Sequence, residues 1–257
     1  MEYSRFEIID KKAYITLNRP EKRNALHPDL VSELKNALKE SAISDKVKVV
    51  IIQAEGKAFC AGADLAYLQD LQRNTYEENL QDSNHLRELF ELIYHFPKPV
   101  IAKVQGHALA GGCGLATVCD FIYAAEEAKF GYTEVKIGFV PAMVLVFLIR
   151  KIGESRASEL LLSGELISAS KAEKIGLIHE VCTAENLFER VENLAHSLIE
   201  NNSGESMKLT KELIKSVQNL SLDKAMELAS ETNATARATT DCKKGISAFL
   251  NKEPIVW

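Results

Sequence analysis

The stretch GHALAGGCGLATVCDF, Gly106–Phe121, decides how this chain is read. It sets Gly106, Gly111, Gly112 and Gly114 close together and then turns apolar. Glycine loses more conformational freedom on folding than any other residue, so such a cluster points to close approach or special backbone geometry. Two phosphate loops do not fit. Gly106 and Gly111 have the spacing of a P-loop, but Gly112 and Cys113 stand where lysine and serine or threonine are required. A dinucleotide fingerprint would need a glycine where Thr117 stands, and it opens its domain, whereas this stretch lies deep in the chain. A third reading uses the backbone itself. A helix beginning at Gly111 has first-turn N–H groups without internal partners and a partial positive charge, which together stabilise an oxyanion forming on a carbonyl. The plainer alternative is that the glycines let a helix pack closely on a sheet.

The same design occurs upstream. The apolar run VVIIQAEG is followed by the small-residue turn CAGAD and an amphipathic start, LAYLQDL. Two strand-to-helix turns stripped of bulk are able to give one N–H each to a single oxygen. Beyond the glycines, KFGYTEVKIGF places Glu134 near Phe130, Tyr132 and Phe139, surroundings that raise a carboxyl pKa and suit it to proton transfer. Alone, Glu134 would read as a surface glutamate on a loop.

Around these turns the chain alternates strand and helix up to about residue 125, which predicts βαβ crossovers and a largely parallel sheet. MEYSRFEIIDKKAYITL reads as a strand and lacks the basic and apolar regions of a signal peptide. HPDLVSELKNALKESA reads as a helix with Pro28 at its first position and Leu30, Val31, Leu34, Ala37 and Leu38 on one face. KVKVVIIQAEG, KPVIAKVQG and DFIYAA read as strands, with a polar helix near 75–95. Past Arg156 the pattern is helical except for LIHEVC, and no internal repeat is visible.

The balance of 31 basic and 36 acidic residues, formally −5, supplies no overall field for nucleic acid or anionic membrane. No run reaches the roughly 20 apolar residues of a membrane span. Cys60, Cys113, Cys119, Cys182 and Cys242 form no CxxC pair and suit a reducing, cytoplasmic compartment. The six histidines form no HExxH, so no metal site is expected.

Taken in order, RPEKRNAL, GKAFCAGADL, KPVIAKVQGHALAGGCGLATVCD, AKFGYTEVKIGF and SAFLNKEPIVW resemble the crotonase (enoyl-CoA hydratase/isomerase) superfamily over essentially the whole chain. The resemblance implies an α/β fold, a crotonase-like ββα superhelix over residues 1–190. A C-terminal helical trimerisation or cap layer over 191–257 would complete a single continuous domain. It implies a homotrimer or homohexamer acting on an acyl-CoA thioester, with coenzyme A as part of the substrate and no prosthetic group. By the same resemblance Gly111 and Ala63 give the oxyanion-hole amides and Glu134 is the catalytic carboxylate. Lys22 and Arg23 hold the CoA phosphates, while Ala25, Ala61, Asp64 and Leu65 line the pantetheine and adenine. Leu109, Gly112 and Thr133 complete the binding set, and Phe249 and Lys252 reach CoA from this or a neighbouring subunit.

The chain departs from the family pattern at Gly114, where typical hydratases carry a first glutamate, leaving Glu134 alone. The expected reaction is enoyl-CoA hydration in fatty-acid or branched-chain acid breakdown, with 3-enoyl-CoA isomerisation or a catalytically weak acyl-CoA-binding subunit as alternatives. One helical turn after Gly111, position 114 is expected to face the same cavity, so that Gly114→Glu would favour hydration. A second departure is GFVPAMVLVFL, whose bulky Met143, Val144 and Val146 read first as core packing, with a reshaped acyl pocket or trimer contact as the alternative.

Overall fold

The computed structural model describes all 257 residues, Met1–Trp257. The first expected strand is instead a hairpin. Asp10 and Lys11 both adopt left-handed backbone angles, φ 48° and 62°, and reverse the chain between β1 (Ser4–Ile9) and β2 (Lys12–Leu17). A two-residue turn with both φ positive matches the twist of an antiparallel pair. Helix α1 (Pro28–Ile43) follows, with the His27 ring accepting the Asp29 amide and all five expected apolar residues buried.

Three ββα turns then wind along the molecule. The first contains β3 (Val49–Ala54), β4 (Ala58–Cys60), α2 (Leu65–Leu71) and α3 (Tyr76–Tyr94). The second contains β5 (Val100–Val104), β6 (His107–Leu109) and α4 (Gly111–Thr117). The third contains β7 (Phe121–Ala125), β8 (Lys129–Gly131), a 3-10 turn at Glu134–Ile137 and α5 (Ala142–Ile152). Within each turn the first strand joins one sheet and the second joins another. The strands of five or six residues and the short β10 build a six-stranded sheet, β1-β2-β3-β5-β7-β10, parallel from β2 onward, and the remaining short strands build β4-β6-β8-β9. This is the expected superhelix, and its structural repeat has no counterpart in sequence identity. Residue spacing alone does not reveal the second sheet, because strands of two or three residues show no periodicity.

Completing the chain are α6 (Glu154–Ser163), β9 (Ile167–Ser168), α7 (Ala169–Lys174), β10 (Glu180–Cys182), α8 (Leu187–Asn201), α9 (Gly204–Val217), α10 (Leu222–Ala238) and α11 (Thr240–Asn251). Side-chain alternation along β3 divides the core. Val50 and Ile52 pack inward with Leu30, Leu34 and Leu38 of α1, while Val49 and Ile51 meet Leu187, Val191, Ala195 and Ile199 of α8. Those α8 residues recur every four positions, the stripe a helix lays on a sheet. The boundary expected at 190/191 therefore falls inside a helix that belongs to the core. The outer helical layer begins at α9, and α10 buries no residue.

One buried side chain ties the N-terminal hairpin to the first ββα turn. Asn24, fully buried at φ 54°, donates from Nδ2 to Glu55 O at 2.8 Å and Ala58 O at 2.9 Å, and its Oδ1 accepts the Arg19 amide at 2.8 Å. Asn24→Ala removes three hydrogen bonds worth about 1 kcal/mol each. Thermal unfolding should shift down by roughly 6–12 °C for a chain of this size. A shift within roughly 1 °C would show that Asn24 is not a tie.

Candidate active site

Residues 61–65 form the first small-residue turn. Three backbone hydrogen bonds strap it to the segment before α1: Ala61 N to Arg23 O at 3.0 Å, Leu26 N to Gly62 O at 2.7 Å and Asp64 N to Leu26 O at 3.0 Å. Beneath the strap the buried Arg19 donates to Ala25 O at 2.9 Å and pairs with Asp64 Oδ2 at 3.2 Å. Asp64 Oδ1 accepts the Ala66 amide and caps α2. Burial pushes the Asp64 carboxyl up, but Arg19 and the Ala66 and Tyr67 amides outweigh it and hold the group below the usual carboxylate range.

The second turn lies against the first. Gly62, at φ 92°, approaches residues 109–111 so closely that a Cβ there would stand 2.7 Å from Ala110 Cβ, 3.0 Å from Leu109 O and 3.4 Å from Gly111 N. Ala110 itself has φ 49° and ψ −128°, a conformation that costs a non-glycine residue on the order of 1–3 kcal/mol. It is fixed from both sides, donating to Gly131 O at 2.7 Å across the small sheet and accepting from Gly114 N at 3.0 Å in α4. The amides of Ala63 and Gly111 have no acceptor within the protein; at the first position of a helix Gly111 can have none inside it.

The third element is the turn after β8. Tyr132, fully buried, shares a 2.7 Å hydrogen bond with Thr117 of α4 and so anchors the turn to the helix that Gly111 begins. Two residues on, Glu134 is buried, and its Oε2 has no hydrogen-bond partner. Burial raises its pKa above the usual carboxylate value, with no cation beside it to reverse the effect.

These parts meet in one cavity of about 370 Å³, lined mainly by apolar side chains. Ala63, Gly111 and Glu134 all border it, with Ala61, Leu65 and Thr133 of the expected binding residues. Free amides beside a buried carboxylate with one unpartnered oxygen can polarise a carbonyl and move a proton at the adjacent carbon.

Other expected residues lie elsewhere. Asp64 is committed to Arg19 and to the cap of α2, and Ala25 is buried with its carbonyl held by Arg19, so neither borders the cavity. Gly112 has the packing role: a Cβ there would overlap Cys60 O, with Cys60 Cβ at 2.7 Å. Leu109 is half-buried beside Gly62 and outside the cavity lining. Lys22 and Arg23 are exposed on the strap, and Phe249 and Lys252 are exposed at the end of α11, away from the cavity of their own chain.

Position 114 requires a correction. Gly114 faces α5, not the cavity; a Cβ there would overlap the Val144 Cγ1 methyl, with Val144 Cβ at 2.9 Å and Phe90 Cζ at 3.6 Å. The space expected for a second carboxylate is filled by valine, and Val144 and Met143 border the cavity, so the segment read as core packing also shapes the site. Ala110, Asn24 and Arg19 were missed. The only sequence signal was their place inside GHALAGG and RPEKRNAL, since left-handed backbone and buried ion pairs leave no periodicity.

Comparison with known proteins agrees with this geometry. The sequence model of the enoyl-CoA hydratase/isomerase family matches residues 9–257. A Thermus thermophilus protein assigned as an enoyl-CoA hydratase is 43% identical over 242 residues, 94% of this chain and 95% of that protein. The crotonyl-CoA hydratase of Syntrophomonas wolfei is 36% identical over 248 residues, 95% of this chain and 93% of that protein. The crystal structure of an enoyl-CoA hydratase from Shewanella pealeana superimposes with a TM-score of 0.94 at 30% identity, covering 99% of this chain and 96% of the other.

The contact at position 114 makes a testable statement about packing. Gly114→Ala should destabilise the protein by about 1–3 kcal/mol through overpacking. Its cost should fall when Val144→Ala is present, because the added methyl then enters the space vacated. Chemical denaturation of both single variants and the double variant checks this; strictly additive effects would place the 114 side chain somewhere other than against Val144.

Proposed function

We propose that this chain, which belongs to the enoyl-CoA hydratase/isomerase family, adds water across the double bond of a 2-enoyl-CoA thioester or removes it from a 3-hydroxyacyl-CoA. The observation that carries the reading is the buried Glu134 carboxylate, its Oε2 without a partner, in one cavity with the free Ala63 and Gly111 amides. Relatives named enoyl-CoA hydratase and crotonyl-CoA hydratase support it.

In this scheme the thioester oxygen accepts from both amides. Glu134 takes a proton from water as the water oxygen bonds to the β carbon. The π electrons move through the α carbon onto the thioester oxygen, giving an enolate held by the two amides. The enolate then collapses and the α carbon takes the proton from Glu134, which ends ionised as it began. A single carboxylate suffices because one water supplies both the hydroxyl and the proton. Lys22 and Arg23 would meet the CoA phosphates at the exposed strap. Phe249, 85% exposed, and Lys252 would serve a neighbouring subunit of a homotrimer or homohexamer, for which the apolar side chains exposed on α10 and α11 offer a surface.

A second reading, transfer of a proton from the α to the γ carbon of a 3-enoyl-CoA, is favoured by Val144 standing where a second carboxylate was expected. Incubation with crotonyl-CoA and with 3-hexenoyl-CoA separates the two. Hydration adds the mass of one water, whereas isomerisation leaves mass unchanged and creates the absorbance of a conjugated thioester. Hydration of crotonyl-CoA is the expected dominant outcome; the absence of both products would end the proposal.

Glu134→Gln should lower kcat/KM for crotonyl-CoA on the order of 10²–10⁴-fold. Hydration needs the ionised carboxylate, so wild-type kcat/KM should fall as pH drops through a value above 4.5, the ordinary glutamate figure. The native state holds this proton to higher pH than the unfolded chain does. Ionisation therefore costs stability as pH rises from about 4.5 through the raised native value. Glu134→Gln escapes that cost and should be more stable than wild type at about pH 8, the difference disappearing at about pH 4. Equal stability at both pH values would show that the carboxylate is not held in a desolvated site.

A further inference from the structure

A second cavity lies beyond the far wall of the first. It is a solvent-open cleft of about 720 Å³ with a mostly polar lining that includes the acidic side chains Glu77, Glu78 and Glu88. Pro28, Tyr67, Asp82 and His85 border both spaces and form the partition between them. Most of that partition is fixed. The His85 ring is held at 3.1 Å by Ser32 Oγ, Pro28 O and Lys35 Nζ. Asp82 stands on α3, which is secured by a capping box at Thr75 and by the buried Leu89, Phe90 and Ile93. Tyr67 is different. It belongs to α2, seven residues long with none of them buried, and Leu65 beside it is 69% exposed. Its ring leans on His27 with centroids 5.5 Å apart, and its hydroxyl donates to Asp82 Oδ1 at 2.5 Å.

Resting on the acyl-CoA reading above, we propose that the Tyr67–Asp82 hydrogen bond closes the end of the acyl cavity and thereby sets the length of acyl chain that the protein accepts. With the bond made, the acyl group is confined to the 370 Å³ space, near the small end of ligand cavities. With Tyr67 swung away on α2, the two spaces join and a longer chain passes into the outer one. Burial and the adjacent Asp82 carboxylate raise the Tyr67 pKa, so the donated proton stays in place through the neutral range. The lining beyond the partition is mostly polar and acidic, which opposes a tail ending in a carboxylate.

The test is calorimetric titration of the whole protein with butanoyl-CoA and decanoyl-CoA, which bind without reacting. The readout is the ratio of the two dissociation constants. Tyr67→Ala should shift that ratio towards decanoyl-CoA by about tenfold, equivalent to 1.4 kcal/mol and to seating about two further methylenes. Tyr67→Phe keeps the ring against His27 and loses only the hydroxyl; it should shift the ratio the same way by about threefold, as should Asp82→Ala. Asp82→Asn retains the accepting oxygen and should stay within about twofold of wild type. If Tyr67→Ala does not fold, Tyr67→Phe and Asp82→Ala carry the test. An unchanged ratio in variants that still bind butanoyl-CoA would overturn the partition, and an Asp82→Asn shift as large as that of Asp82→Ala would overturn the hydrogen bond as its closure. Failure of the wild type to bind either thioester would instead overturn the acyl-CoA reading itself.

Discussion

Gly62 and Ala110 touch where no further atom fits, and the rest of the site depends on that contact. It brings two turns from separate ββα units together with only backbone and the Ala110 methyl between them. The turns cannot spread, because the strap through Arg23 and Leu26 holds one and the small sheet through Gly131 holds the other. Two amides are thereby left unbonded beside the same cavity. The left-handed Ala110 is a local cost of that arrangement, tolerated because hydrogen bonds on both sides allow no relaxed alternative.

The carboxylate is placed by a parallel device. The buried Tyr132–Thr117 hydrogen bond joins the Glu134 turn to α4, so the proton carrier and one oxyanion donor are referenced to a single short helix. Val144 closes the side of α4 where Gly114 leaves room, making that wall apolar. Burial raises the Glu134 pKa against the opposing pull of its own backbone amide, and no cation offsets it, while Oε2 is left without a partner. Both the strain at Ala110 and the desolvation of Glu134 lower stability, and the two faces of the sheet core offset them.

Much of the fold was legible because burial imposes a period. The α1 stripe from Leu30 to Leu38 and the continuous apolar β3 run from Val49 to Ile52 were readable from the sequence alone. The start of α4 at Gly111 was legible from its glycines, and the buried Glu134 from its apolar neighbours. Features of two or three residues were not: the Asp10–Lys11 turn that splits the first strand, and the short strands of the second sheet. Nor could spacing foretell contacts between distant segments. Position 114 was placed on the correct helix turn, yet only packing shows Val144 against it. Asp64 belonged to the right motif, but its partner Arg19 lies in a different one.

The central claim is that the Ala63 and Gly111 amides act together on one thioester carbonyl. Isotope-edited infrared spectroscopy reads that carbonyl directly, using an enoyl-CoA carrying ¹³C at the thioester carbon and bound to the Glu134→Gln variant, whose turnover is slowed. Two donors in a desolvated cavity predict a carbonyl band displaced to lower frequency than in water and narrowed, because one fixed geometry replaces many. A band at the aqueous frequency and width, in a sample with the thioester fully bound, would contradict the account.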